Sequence, residues 1–95
     1  MQAKLAEIKE KAVPILKAAG VTRSALFGSY VRGEEKEESD LDILVDYPKG
    51  ISLFDVVDLK YRLEDALGKR VDLVGYKTIK PRIKDAILSE QIPLL

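Results

Sequence analysis

Apolar residues recur at helical spacing through the first stretch of the chain, at Leu5, Ile8, Ala12, Ile15, Leu16 and Ala19. That spacing predicts a helix over residues 3–19, with Gly20 as its C-terminal stop. Pro14 falls inside it, and its missing N–H and bulky ring predict a kink or a split into two pieces. The period then shortens. Ser24 to Phe27 forms a brief apolar run closed by Gly28-Ser29, which predicts a strand, and residues 30–32 read as one helical turn ending at Gly33. From Leu41 to Val45 the side chains alternate: Leu41, Ile43 and Val45 fall on one side, Asp40, Asp42 and Leu44 on the other.

Helical spacing returns with Val56, Leu59, Leu63 and Leu67. Ser52 is the N-cap candidate, Asp55 takes the capping-box position, and Gly68 is the stop. Residues 70–76 make a third strand, with Asp72 and Val74 on one face and Val71 and Leu73 on the other. Pro81 suits the first turn of a last helix reaching about residue 90, and the apolar tail of residues 92–95 reads as an edge strand. The strand–helix–strand unit crosses over right-handed and makes the second and third strands parallel neighbours. The short link between the first two strands favours an antiparallel pair. The expected fold is α+β: a small three- to four-stranded mixed sheet backed by helices on one face.

Length and composition narrow the functional classes. Ninety-five residues without a linker or repeat read as one domain, residues 1–95. Sixteen basic and sixteen acidic residues cancel, which argues against a nucleic-acid-binding module, since affinity for a phosphate backbone comes from excess positive charge. The acidic loop over residues 34–38 argues the same way. No cysteine and no histidine is present. Disulfides, thiolate zinc sites, a cysteine nucleophile and the commonest general base are therefore excluded. No apolar run approaches a membrane span and residues 1–10 carry no signal-like core, so the expected location is the cytoplasm. Abundant Lys and Glu with no Asn lean toward a thermophilic source.

The chemistry concentrates in two stretches, Leu26-Phe27-Gly28-Ser29-Tyr30-Val31-Arg32-Gly33 and Ser39-Asp40-Leu41-Asp42. Two residues apart on a strand, Asp40 and Asp42 project from one face about 7 Å apart. Their mutual repulsion is relieved by a hard divalent cation such as Mg²⁺, which also takes substrate phosphates as ligands. Asp72, flanked by aliphatic residues on the neighbouring strand, can join them. Gly28 allows close backbone approach to a phosphate, Ser29 offers a hydroxyl and an amide, and Arg32 can add a charge-assisted contact. Alone, the Asp40–Asp42 pair could be a solvated strand end and Gly28 a bare turn glycine. Combined, corner and carboxylates make a two-metal phosphoryl-transfer site the better reading.

These residues resemble a known family. Gly28-Ser29, ten residues, then Asp40-Leu41-Asp42 is similar to the signature of the DNA polymerase beta-like nucleotidyltransferase superfamily. Gly-Ser-Tyr-Val-Arg-Gly followed by Ser-Asp-Leu-Asp resembles the minimal nucleotidyltransferase (MNT) proteins in particular, and the likeness continues through residues 50–55 and 68–74 to Lys80-Pro81. The resemblance implies that Asp40, Asp42 and Asp72 hold Mg²⁺ and that Gly28 and Ser29 hold the triphosphate of ATP. It also implies an antitoxin that binds a HEPN-domain RNase toxin and transfers AMP to a tyrosine of it.

Two rival readings remain beside this one. One is an antitoxin that neutralises its partner by contact alone. The other is nucleotide transfer to a small molecule with the help of a partner subunit. A chain this short, with its helices spent on the opposite face of the sheet, is expected to need a separate protein to supply the acceptor and the missing wall of its site. Leu53, Phe54 and Val57, surplus to the helix stripe, would mark a partner surface if exposed.

Overall fold

The computed structural model describes residues 2–28, 31 and 40–95, without the side chains of residues 2–4. Among the described residues the elements follow in the order α1 (Gln2–Ala18), β1 (Arg23–Phe27), β2 (Leu41–Asp46), α2 (Leu53–Leu67), β3 (Val71–Gly75), α3 (Pro81–Glu90) and β4 (Ile92–Pro93). A single 3₁₀ turn, Tyr76–Thr78, links β3 to α3. The sheet order is β3-β2-β1-β4. β2 and β3 are parallel, whereas β1 is antiparallel to both β2 and β4.

The alternation read from the sequence is the alternation of the sheet. Leu26, Leu41, Ile43, Val45 and Val71 face one side and form a single core with Ile8, Ala12 and Leu16 of α1 and Leu59 and Leu63 of α2. On the other side Ala25, Phe27 and Leu44 pack against Ile79 and Ile87. The expectation that all helices back one face is therefore corrected: α1 and α2 cover one face, and α3 lies on the other, the face that carries the carboxylates. The physical reason is Leu44. It sits between Asp42 and Asp46 in the outward register, yet it is fully buried, and an aliphatic side chain there requires a cover, which α3 and the segment leading into it provide.

Pro14 does not split the first helix, which runs through as one element. Its own position is exposed, so the carbonyl left without its usual N–H partner faces water rather than the core. Ser24, the one buried polar side chain among the described residues, is satisfied by donating its hydroxyl to the Leu44 carbonyl at 2.7 Å.

The start of α2 is fixed by the predicted capping box. The Ser52 hydroxyl accepts from the Asp55 N–H at 3.1 Å, and an Asp55 carboxylate oxygen accepts from the Ser52 N–H at 3.3 Å. Its end is fixed by Gly68 at φ +68°. Ser52→Ala is expected to cost about 1 kcal/mol, or roughly 4–8 °C of melting temperature in a domain of this size. A thermal melt unchanged by the substitution would show that packing alone holds the helix start.

Candidate functional site

The register of the sheet assembles the site. Phe27 pairs with Asp42 across β1 and β2, and Asp42 pairs with Asp72 across β2 and β3. Paired residues on adjacent strands share a face, so the two carboxylates project side by side about 5 Å apart at their backbones. Asp42 is half-buried; Asp72 and Asp40 are exposed. Asp40 immediately precedes β2, two residues before Asp42. Among the described residues no group of three or more carboxylates is gathered closely enough to hold a metal ion; Asp42 and Asp72 are brought together as a pair.

Gly28, the residue after β1, lies against Asp42. It adopts φ +83°, and a Cβ built on it would collide with the Asp42 carboxylate, lying only 3.1 Å from its Cγ and 3.3 Å from its Cβ. The glycine is thus required twice, by its backbone conformation and by the close passage of Asp42. The chain turns at once, the Val31 N–H donating to the Gly28 carbonyl at 3.1 Å. Ser29 and Arg32, read from the sequence as phosphate contacts, lie outside the described residues, as does Ser39.

An open cavity of about 580 Å³ runs along this face between the sheet and α3. Gly28, Asp42 and Asp72 line its sheet side, while Lys80, Ile83 and Glu90 belong to its other wall. Sequence reading missed that second wall. One signal was available: Glu90 ends α3, where the helix dipole disfavours an anion. Its carboxylate instead accepts a hydrogen bond from the Gly28 N–H at 3.2 Å, tying the end of α3 to the corner. A second cavity, about 430 Å³, lies where the end of α1 meets the start of α2, on the face away from the carboxylates.

Further along the same face, Arg23 stacks on the Tyr76 ring at 4.3 Å from its centroid, and the Tyr76 hydroxyl donates to Gln91 at 3.2 Å. Burial raises the Tyr76 pKa above its ordinary value of 10.0; Arg23 opposes the rise and Asp46 adds to it. A tyrosine whose folded pKa is raised binds its proton more tightly folded than unfolded. Its contribution is complete below pH 10 and is lost as pH climbs above it. Melting temperature between pH 9 and 11 should therefore fall more steeply for the unsubstituted chain than for Tyr76→Phe. Parallel curves would remove Tyr76 as the cause.

No helix among the described residues is long and apolar enough to cross a membrane. On α2, Leu53, Phe54, Val57 and Tyr61 are exposed, Phe54 at 86%, as expected for residues surplus to the buried stripe.

Comparison with known proteins agrees with this architecture. The family model described as Nucleotidyltransferase domain matches residues 5–94. A protein of Methanocaldococcus jannaschii, provisionally named a protein adenylyltransferase, is 54% identical over 89 residues, covering 94% of this chain and 96% of that one. Protein adenylyltransferase MntA of Thermococcus cleftensis is 48% identical over 73 residues, covering 77% of this chain and 74% of that one. Among solved structures, a toxin–antitoxin crystal structure with AMP-PNP superposes with a TM-score of 0.78 at 25% identity, covering 92% of this chain and 72% of that one.

Proposed function

Since the chain belongs to the nucleotidyltransferase domain family, we propose that it transfers AMP from ATP to a tyrosine hydroxyl of a HEPN-type RNase toxin and thereby serves as that toxin's antitoxin. The observation that carries the reading is the strand register that sets Asp42 beside Asp72, with Gly28 pressed against Asp42. The relatives named as protein adenylyltransferases and the toxin–antitoxin neighbour with AMP-PNP support the activity and the kind of partner.

The donor set suits Mg²⁺. That ion is commonly held by one or two carboxylates and completes its shell with substrate phosphates and water, so the Asp42–Asp72 pair is a sufficient protein contribution, with Asp40, just before β2, as a further ligand. Bound there, the metal supplies charge neutralisation of the triphosphate and makes the attacking hydroxyl more acidic, a two-ion site doing both at once.

The chain's own residues do the rest. The corner at Gly28 lets the phosphates approach the backbone closely, and Ser29 and Arg32 receive the β- and γ-phosphates on an amide, a hydroxyl and a guanidinium, the Gly28 N–H being held by Glu90. The α-phosphate then lies over Asp42. The acceptor oxygen bonds to the α-phosphorus as the bond between that phosphorus and the α,β-bridging oxygen breaks, and pyrophosphate leaves. The hydroxyl proton passes to the Asp72 carboxylate, which is exposed and hands it to water. Holding both reactants in one cavity replaces a slow bimolecular encounter by an effectively unimolecular step.

The test is incubation of the chain with α-labelled ATP, Mg²⁺ and a HEPN-type RNase toxin, the product of the neighbouring reading frame being the one to examine first. Label should appear on that protein, depend on Mg²⁺ and map to tyrosine. Loss of the partner's RNase activity with no label on it would instead make this chain an inhibitor by contact.

A further inference from the structure

The exposed apolar residue beside the carboxylates is Ile83, 49% exposed on α3 and part of the same cavity wall as Lys80. Nothing in the nucleotide-binding reading uses it. We propose that the first turns of α3, with Ile83 at the mouth and buried Ile79 behind it, form the seat for the aromatic ring of the acceptor tyrosine. This inference rests on the transfer reaction argued above and assigns the acceptor half of that site to named residues.

The argument is one of direction. An in-line displacement sets the attacking and leaving oxygens on opposite sides of the phosphorus. The leaving pyrophosphate is received at the Gly28 corner, which follows β1. The α-phosphate lies over Asp42 on β2. The attacking hydroxyl therefore comes from the remaining side, over Asp72 on β3. Gly28 and Asp72 are two strand spacings apart, about 10 Å.

The helix above them crosses obliquely between the same strands. Glu90, at the end of α3, is bonded to Gly28 on the β1 side, while the start of α3 follows the Gly75 end of β3 after a single 3₁₀ turn. At 1.5 Å per residue, Ile83 lies about 10 Å from Glu90 along the axis. That carries Ile83 back toward β3, where it lines one cavity with Asp72 and Val74.

The shape of the wall selects the acceptor. A helix about 10 Å thick stands on the sheet face and walls the carboxylates on one side. A serine or threonine would have to bring its backbone close against that wall. Tyrosine carries its hydroxyl at the end of a flat apolar ring, and the wall offered to that ring is Ile79, Ile83 and Val74. Ring packing on exposed aliphatic surface is favourable in proportion to the area removed from water.

The experiment uses the complex of this chain with its HEPN-type partner and compares the unsubstituted chain with Ile83→Asp and Ile83→Leu. Three quantities are read: assembly by gel filtration, nucleotide Kd with Mg²⁺, and the single-turnover transfer rate at saturating ATP. Ile83→Asp should assemble and keep its nucleotide Kd but transfer at least about tenfold more slowly, the loss expected for one aliphatic contact. Ile83→Leu should retain most of the rate. A weaker nucleotide Kd in Ile83→Asp, matching its loss of rate, would overturn the proposal by making this wall the seat of the base. An unchanged rate in Ile83→Asp would overturn it outright. Absence of transfer by the unsubstituted chain would instead defeat the transfer reaction itself, and the seat with it.

Discussion

Asp42→Asn should reduce transfer by about a thousandfold or more while leaving the melting temperature of the free chain unchanged or slightly raised. The two halves of this expectation come from the same geometry. Asp42 lies beside Asp72 on the next strand, and like charges directly opposite one another in a sheet are destabilising. Asparagine keeps the volume and an acceptor oxygen but removes one charge, so the repulsion with Asp72 is relieved. In the proposed reaction the same charge would hold the metal at the α-phosphate. A metal there supplies several kcal/mol of transition-state stabilisation, and each 1.4 kcal/mol is a factor of ten in rate. The measurements are single-turnover transfer from labelled ATP and a thermal melt without nucleotide or Mg²⁺. Retained activity would remove Asp42 from the chemistry. A clear fall in melting temperature would show that its main role is in the fold.

Gly28→Ala should do the reverse and damage both fold and function. At φ +83° an alanine pays a backbone penalty of about 1–2 kcal/mol, and its Cβ would strike the Asp42 carboxylate. The combined cost is roughly 2–3 kcal/mol, which in a domain of 95 residues lowers the melting temperature by on the order of 10–20 °C. Asp42 can escape the clash only by moving its carboxylate out of its present position beside Asp72 and the corner, so activity measured well below the melting transition should also be lost. A variant that melts lower yet transfers normally at low temperature would separate the two roles and show that the Gly28–Asp42 contact is not part of the reaction.

The elements were legible because each is punctuated by chemistry that acts locally. Ser52, Asp55 and Gly68 bound α2 as expected, and Pro81 opens α3. The alternation in Leu41-Asp42-Ile43-Leu44-Val45 gave the faces of β2, and the strand–helix–strand unit gave the parallel pairing of β2 with β3. The placement of α3 was not legible in the same way. Its helical pattern announces an apolar side but not the sheet face it meets, and the decisive residue, Leu44, looked like one more member of an outward-facing row. The site was legible as far as its carboxylates and corner. Its second wall was not, because Lys80, Ile83 and Glu90 reach the cavity through the packing of α3 and not through any spacing to Asp42. The continuous run of α1 through Pro14 likewise depends on the proline facing water, which sequence period alone does not decide.

β3 is an edge of the sheet, and Asp72 is its exposed second residue, between Val71 and Leu73. An unpaired strand edge invites pairing with another copy, and a charge within such a strand is one way proteins prevent it. Asp72 therefore stands where a gatekeeper against self-association would stand, whatever else it does. Replacing it by Val would produce the run Val-Val-Leu-Val on an open edge, with high strand propensity and no charge. Loss of activity in that variant could reflect aggregated protein rather than missing chemistry. Asp72→Asn, polar and nearly isosteric, keeps the edge guarded and is the variant whose kinetics can be read at face value.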